Sequence, residues 1–141
     1  MDKENILMRI QDCGIVAVVR AENADKAERI VDACMEGGVA AIELTFSVPH
    51  ADRVIETLSY KYDPKDIILG AGTVMDAATA RIAMLSGAQY IVSPYLDLET
   101  LRMCNRYRVP MMPGVMSVRE AVTAMENGAD ILKIFPGDLF G

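Results

Sequence analysis

From one end to the other the chain alternates between short, almost wholly apolar runs and longer stretches of helical periodicity, with no Ser/Pro-rich or low-complexity linker between them. Six runs read as strands: residues 15–19, 39–45, 67–69, 90–92, 109–112 and 131–135. They are continuous apolar blocks rather than in-and-out alternations, as parallel strands covered by helices require. The intervening helices carry start signals at Asn23, at Asp76, and at Ser117 with Glu120 in capping-box spacing. Their stops are Gly37-Gly38, Gly87 and Gly128, where a residue free to take positive φ turns the chain back toward the next strand. In the first of these helices Ala24, Ala27, Ile30, Val31 and Cys34 share one face, the face that lies on a sheet.

A repeated βα unit with right-handed crossovers gives an α/β fold. A doubly wound open sheet and a parallel (β/α)8 TIM barrel both satisfy the pattern. No G-x-G-x-x-G follows the first strand and polar residues stand at the ends of nearly every strand, which favours the barrel and its ring-shaped active-site face. The 141 residues suit a single domain, residues 1–141. A complete eight-stranded barrel needs about 200 residues or more, and only six residues follow the sixth strand candidate. The chain is therefore expected to supply the first six strands of a C-terminally truncated barrel, with an open edge and an exposed apolar face.

Charge and composition narrow the function classes. The formal net charge of −6 repels a phosphate backbone, so nucleic acid is not an expected partner, whereas a cleft with its own charges and dipoles can take a small anion. Cys13, Cys34 and Cys104 are odd in number and dispersed, and His50 stands alone. Neither a disulfide framework nor a metal site is expected, and a reducing, cytoplasmic location fits. No apolar run approaches bilayer-spanning length, and the charged start Asp2-Lys3-Glu4-Asn5 is unlike a signal peptide, so no membrane contact is expected. The methionines, Met111 and Met112 among them, read as adaptable core filler.

Two charged residues sit where a purely structural strand has little use for them. Lys133 lies within Ile131-Leu132-Lys133-Ile134-Phe135, and a buried ammonium is costly unless it is neutralised or paired. Desolvation favours the neutral amine, the form that attacks a ketone; the alternative is a strand-edge lysine snorkelling to solvent. Glu43 repeats the anomaly in Ala40-Ala41-Ile42-Glu43-Leu44-Thr45. In a closed barrel the second and sixth strands face each other, so Glu43 and Lys133 converge either as acid/base and nucleophile or as a buried structural ion pair. Gly70-Ala71-Gly72-Thr73 lets a ligand approach the backbone and offers a hydroxyl, while Ser93-Pro94 and Pro113-Gly114 by themselves signify turns. Phe135, before Pro136-Gly137, walls a pocket above Lys133 or fills the barrel. Arg20 and Ser47 end the first two strands, and a guanidinium at a rim suits a substrate carboxylate. His50, beside Pro49, reads as solvent-exposed in a first helical turn.

The set Glu43, Gly70-Ala71-Gly72-Thr73, Ser93-Pro94, Met112-Pro113-Gly114 and Ile131-Leu132-Lys133-Ile134-Phe135-Pro136 resembles the bacterial 2-keto-3-deoxy-6-phosphogluconate (KDPG) / 4-hydroxy-2-oxoglutarate (KHG) aldolases. The resemblance implies a class I aldolase on a (β/α)8 barrel, usually a homotrimer, needing no metal or other cofactor. It implies cleavage of a small keto-acid substrate to pyruvate plus an aldehyde, glyceraldehyde 3-phosphate or glyoxylate. By the same likeness Lys133 matches the Schiff-base lysine, Glu43 the acid/base, and Thr73, Pro94 and Phe135 the pocket around the pyruvyl part.

Two departures stand out. Many members carry a carboxylate-binding arginine after the second strand, where this chain reads Thr45-Phe46-Ser47-Val48-Pro49, so Arg20 or Ser47 is the expected substitute. The family's phosphate site lies on the seventh and eighth strand ends, beyond the six strands read here. The competing classes are a non-covalent phosphosugar isomerase or binding protein on the same scaffold, and a catalytically silent barrel fragment.

Overall fold

The computed structural model describes residues 2–140. Strands β1 (Val16–Val19), β2 (Ala41–Thr45), β3 (Ile68–Gly72), β4 (Tyr90–Ser93), β5 (Met111–Val115) and β6 (Lys133–Ile134) follow one another in chain order, each parallel to the next. Helix α1 (Lys3–Cys13) precedes β1; α2 (Ala24–Glu36), α3 (Ala51–Lys61), α4 (Ala77–Ser86), α5 (Leu98–Arg106) and α6 (Val118–Glu126) connect the strands, and α7 (Gly137–Phe140) follows β6. A doubly wound sheet would show a reversal of strand order at a switch point. The unbroken order here gives a partial barrel of six strands, as expected.

The helix starts are fixed locally. Asp2, Asn23, Asp76, Asp97 and Ser117 each accept a hydrogen bond from the backbone N–H three residues on, covering one of the unpaired donors of a first helical turn. Three of these caps are the ones the sequence marks; Asp2 and Asp97 act in the same way. Helix α3 differs, because it starts after His50, which is exposed, has φ 63° and makes no side-chain cap.

Two apolar layers hold the sheet. The outer one packs Val19, Ile42, Leu44, Leu69, Ala71, Ile91 and Met111 of the strands under Ala27, Val31, Ile55, Leu58, Ala80, Ala83 and Leu101 of the helices. The inner one is formed by Ala41, Ile68, Tyr90, Val92 and Met112 with Ile6 and Ile10 of α1, which closes the floor of the barrel. Strand alternation thereby assigns Ala41, Glu43 and Thr45 of β2 to the interior and Ile42 and Leu44 to the helices. Tyr90 crosses this floor. Its ring lies on Gly70, directly opposite in the register, and its hydroxyl donates to the Ile42 carbonyl at 2.7 Å.

The strand limits differ from the sequence reading in an informative way. β3 continues through Gly70-Ala71-Gly72, and β5 through Pro113-Gly114, where glycine and proline signal turns. Gly70 stays in the strand because the Tyr90 ring needs its bare face, and Gly114 because the Pro94 carbonyl passes against it. β6 shrinks to two residues from the five expected, and β1 begins at Val16 rather than Ile15. These are the sheet's edges, and they leave Ile15, Val18 and Ile134 more than half exposed, as an open sheet requires. Lys3 and Asp130 pair at 2.8 Å and tie α1 to the approach of β6.

Tyr90 is fully buried, so Tyr90→Ala should destabilise the chain by about 3–5 kcal/mol and Tyr90→Phe by about 0.5–1.5 kcal/mol, the first through a cavity and the second through loss of the hydroxyl's hydrogen bond. Urea unfolding followed by circular dichroism measures both, and equal losses for the two variants would contradict the packing described.

Candidate active site

Because all six strands are parallel, their C-terminal ends share one rim, and the seven candidate site residues lie on the strands or on the segments that follow them. Glu43 is on β2, Lys133 on β6, Thr73 after β3, Pro94 after β4, Phe135 after β6, Arg20 after β1 and Ser47 beyond the end of β2. This face of parallel barrels gathers side chains from many strand ends around one space.

Glu43 is 5% exposed although it carries a carboxylate. Burial raises its carboxyl above the ordinary carboxylate range, and the Lys133 charge opposes the shift only in part. Lys133 is half-buried, pairs with Gly114 in the register, and holds its Nζ 4.6 Å from the centroid of the Phe135 ring. Among the described residues the two charges form no contact ion pair, so the structural pair weighed from the sequence is not made. Glu43 and Lys133 act on each other across the interior instead. Lys133 is also less enclosed than its apolar surroundings in sequence imply, since β6 pairs only with β5 among the described residues.

The remaining candidates divide by environment. Thr73 is half-buried and held at φ 54°, a left-handed conformation that is strained for a β-branched residue, directly at the end of β3. Pro94 is half-buried, and its carbonyl fills the space a side chain on Gly114 would take, locking the end of β4 to β5. Phe135 is 40% exposed, has its ring beside the lysine ammonium, and is joined to Pro136 by a cis bond. Arg20 is exposed and makes no hydrogen bond or ion pair among the described residues. Ser47 is exposed, and its hydroxyl donates to the buried Thr45 Oγ1 at 3.1 Å.

Sequence reasoning missed Tyr95. Its hydroxyl donates to the Met75 carbonyl at 2.7 Å and joins the loops after β3 and β4, while its backbone N–H donates to the buried Ser93 hydroxyl. Both partners of the phenol bridge are set by folding, one being a backbone carbonyl, so no residue pattern announces it. No group of three or more His, Cys, Asp or Glu is arranged to hold a metal ion among the described residues, and no described helix is long and apolar enough to cross a membrane.

A carboxyl whose folded value is raised favours the folded state while protonated, and that contribution is lost as pH rises through the raised value. Glu43→Gln should therefore melt at a higher temperature than the unaltered chain at pH 8. The gap should close as pH falls into the ordinary carboxylate range near 4, since both side chains are then neutral. Melting curves across this range check it, and a gap that widens toward acid would reverse the assigned direction.

Comparison with known proteins fits this geometry. A family model for KDPG and KHG aldolase matches residues 6–141. A 2-dehydro-3-deoxy-phosphogluconate aldolase of Treponema pallidum (strain Nichols) is 33% identical over 127 residues, which are 90% of this chain and 60% of that protein. A 2-dehydro-3-deoxy-6-phosphogalactonate aldolase of Escherichia coli (strain K12) is 34% identical over 127 residues, covering 90% and 62%. The crystal structure of KDPG aldolase from Legionella pneumophila, with pyruvate captured at low pH as a covalent carbinolamine intermediate, aligns with a TM-score of 0.81. The identity there is 27%, over 88% of this chain and 59% of that one. The chain spans about 60% of the length of the relatives it matches. A family match over nearly the whole chain, together with relatives above 30% identity, leads to one conclusion: the chain belongs to the KDPG and KHG aldolase family.

Proposed function

We propose that the chain carries the Schiff-base chemistry of a class I 2-keto-acid aldolase, with Lys133 as nucleophile and Glu43 as acid/base. One observation carries the reading: an amine from β6 and a buried carboxyl from β2 act on each other across one interior without touching. The proposed mechanism places the substrate carbonyl between them. The carbinolamine with pyruvate in the Legionella relative supports the reading, because it is the kind of adduct the first step here would form.

In the proposed sequence, the neutral Lys133 amine adds to the C2 carbonyl of the keto acid. Glu43, whose carboxyl burial raises above the ordinary carboxylate range, gives a proton to the carbinolamine oxygen, and departure of water leaves a protonated imine. That imine takes up the electron pair of the C3–C4 bond as it breaks, while the Glu43 carboxylate takes the proton of the C4 hydroxyl and the aldehyde departs. The remaining enamine then takes the same proton at C3, and water releases pyruvate and the free amine. The Phe135 face beside Nζ stabilises the cationic imine, as an aromatic ring does any cation held over it. Thr73 and Pro94 flank the pyruvyl part from neighbouring strand ends.

The substrate's own carboxylate needs a donor. Arg20 has its guanidinium uncommitted among the described residues and stands on the same rim, so it is the proposed anchor, with Ser47 beside it. KDPG or 4-hydroxy-2-oxoglutarate is the proposed substrate, giving pyruvate with glyceraldehyde 3-phosphate or glyoxylate.

Borohydride added with pyruvate should leave a reduced pyruvyl adduct on the peptide that contains Lys133. Lys133→Ala should abolish it, and Glu43→Gln should keep slow trapping while turnover falls about 10²- to 10⁴-fold. Mass spectrometry reads the adduct, and turnover without any trapping would point to the non-covalent isomerase instead. Arg20→Ala should weaken pyruvate binding about 10- to 100-fold, the scale of a charge-assisted hydrogen bond. An unchanged affinity in a titration of the trapping rate would reject Arg20 as the anchor.

A further inference from the structure

We propose that Gly72 is a positioning residue for Glu43, a notch in the barrel wall that seats the carboxylate and sets the direction it faces. The inference rests on the acid/base reading of Glu43 given above.

In the β2–β3 register Glu43 stands opposite Gly70, and Gly72 is opposite Thr45. The surface at Gly70 is already taken. The Tyr90 ring comes from β4, on the other side of β3, and covers it, with its hydroxyl fixed on the Ile42 carbonyl. With the space at its own level closed, the Glu43 side chain runs along β3 toward the C-terminal rim and lies on Gly72. A Cβ at position 72 would overlap Oε1 and Cδ of Glu43 outright and lie 2.6 Å from Cγ, closer than real Cβ contacts come.

Two further facts make shape the deciding influence. Among the described residues none donates a hydrogen bond to the Glu43 carboxylate or pairs with it in contact, so of the protein groups around it the wall at Gly72 is the one that bounds its direction. The backbone at Gly72 is not left-handed, unlike that of its neighbour Thr73, so glycine supplies room there and not conformational freedom. A side chain at 72 would lift the carboxylate from the wall, and a displacement of about 1 Å in a reacting group costs about 10²-fold in rate. The Gly70-Ala71-Gly72 run thus has two separate duties: Gly70 admits Tyr90, and Gly72 admits Glu43.

The test compares the unaltered chain, Gly72→Ala, Glu43→Ala and the double variant. Gly72→Ala should lower the melting temperature by roughly 5–10 °C, as overpacking of a closed site does. In the Glu43→Ala background the same change should shift it by less than about 2 °C, because the clashing group is gone. Gly72→Ala should also slow exchange of the pyruvate methyl protons with deuterium about 10²-fold while borohydride still traps pyruvate on Lys133. Combining it with Glu43→Asp, which draws the carboxylate back by one carbon, should recover part of that exchange. A melting penalty equal in both backgrounds, or exchange untouched by Gly72→Ala, overturns the proposal. Absence of trapping by the unaltered chain sinks the reading of Lys133, and the melting comparison then decides the notch by itself.

Discussion

Six strands running the same way in chain order form the constraint from which the site follows. Parallel neighbours point every C-terminal end to one rim, and the two-residue alternation of a strand decides which side chains enter the interior. Residues as distant in sequence as Glu43, Thr73, Pro94 and Lys133 meet there without any contact being required between their helices. Below them Ile6 and Ile10 of α1 close the floor with Tyr90, Val92 and Met112, so the candidate site sits above an apolar layer. Burial of Glu43 on β2 raises its carboxyl.

The gap between Glu43 and Lys133 matters as much as their approach. A contact ion pair would satisfy both charges and hold the amine as an ammonium, which cannot attack a carbonyl. Held apart, the carboxyl is governed mainly by burial and the lysine charge reaches it only as a weaker opposing influence. In the proposed mechanism this upward shift is what suits Glu43 to carry protons. The site thus keeps two costly groups and spends neither on stabilising the other.

The repeat, the parallel sheet and the barrel were legible because apolar periodicity reports burial directly, and Glu43 and Lys133 stood out as candidates because each is an ionisable residue set in an apolar strand. Three helix caps were legible for the same local reason. The strand ends at Gly72 and Val115 were not, because glycine and proline are read as punctuation unless one knows what packs against them. At Gly70 the answer is a ring from the next strand, at Gly114 a carbonyl from a loop, and neither is encoded nearby in the sequence. Thr73's left-handed backbone was equally hidden, since a β-branched residue is the last that propensity would place there.

The two halves of the site differ in how they are supported. Glu43 has its floor, its neighbour and its notch from β2, β3 and β4, strands whose residues are buried throughout. Lys133 has Gly114 on one side, the Phe135 ring above it, and a two-residue strand at the edge of the sheet. Glu43 is accordingly enclosed by three buried strands, whereas Lys133 stands half-buried on a short one. The acid's orientation is therefore a property of the central strands, whereas the amine's surroundings depend on whatever lies along β6. A change on the β6 edge should be felt at Lys133 well before it is felt at Glu43, since contacts between well-separated sites add nearly independently.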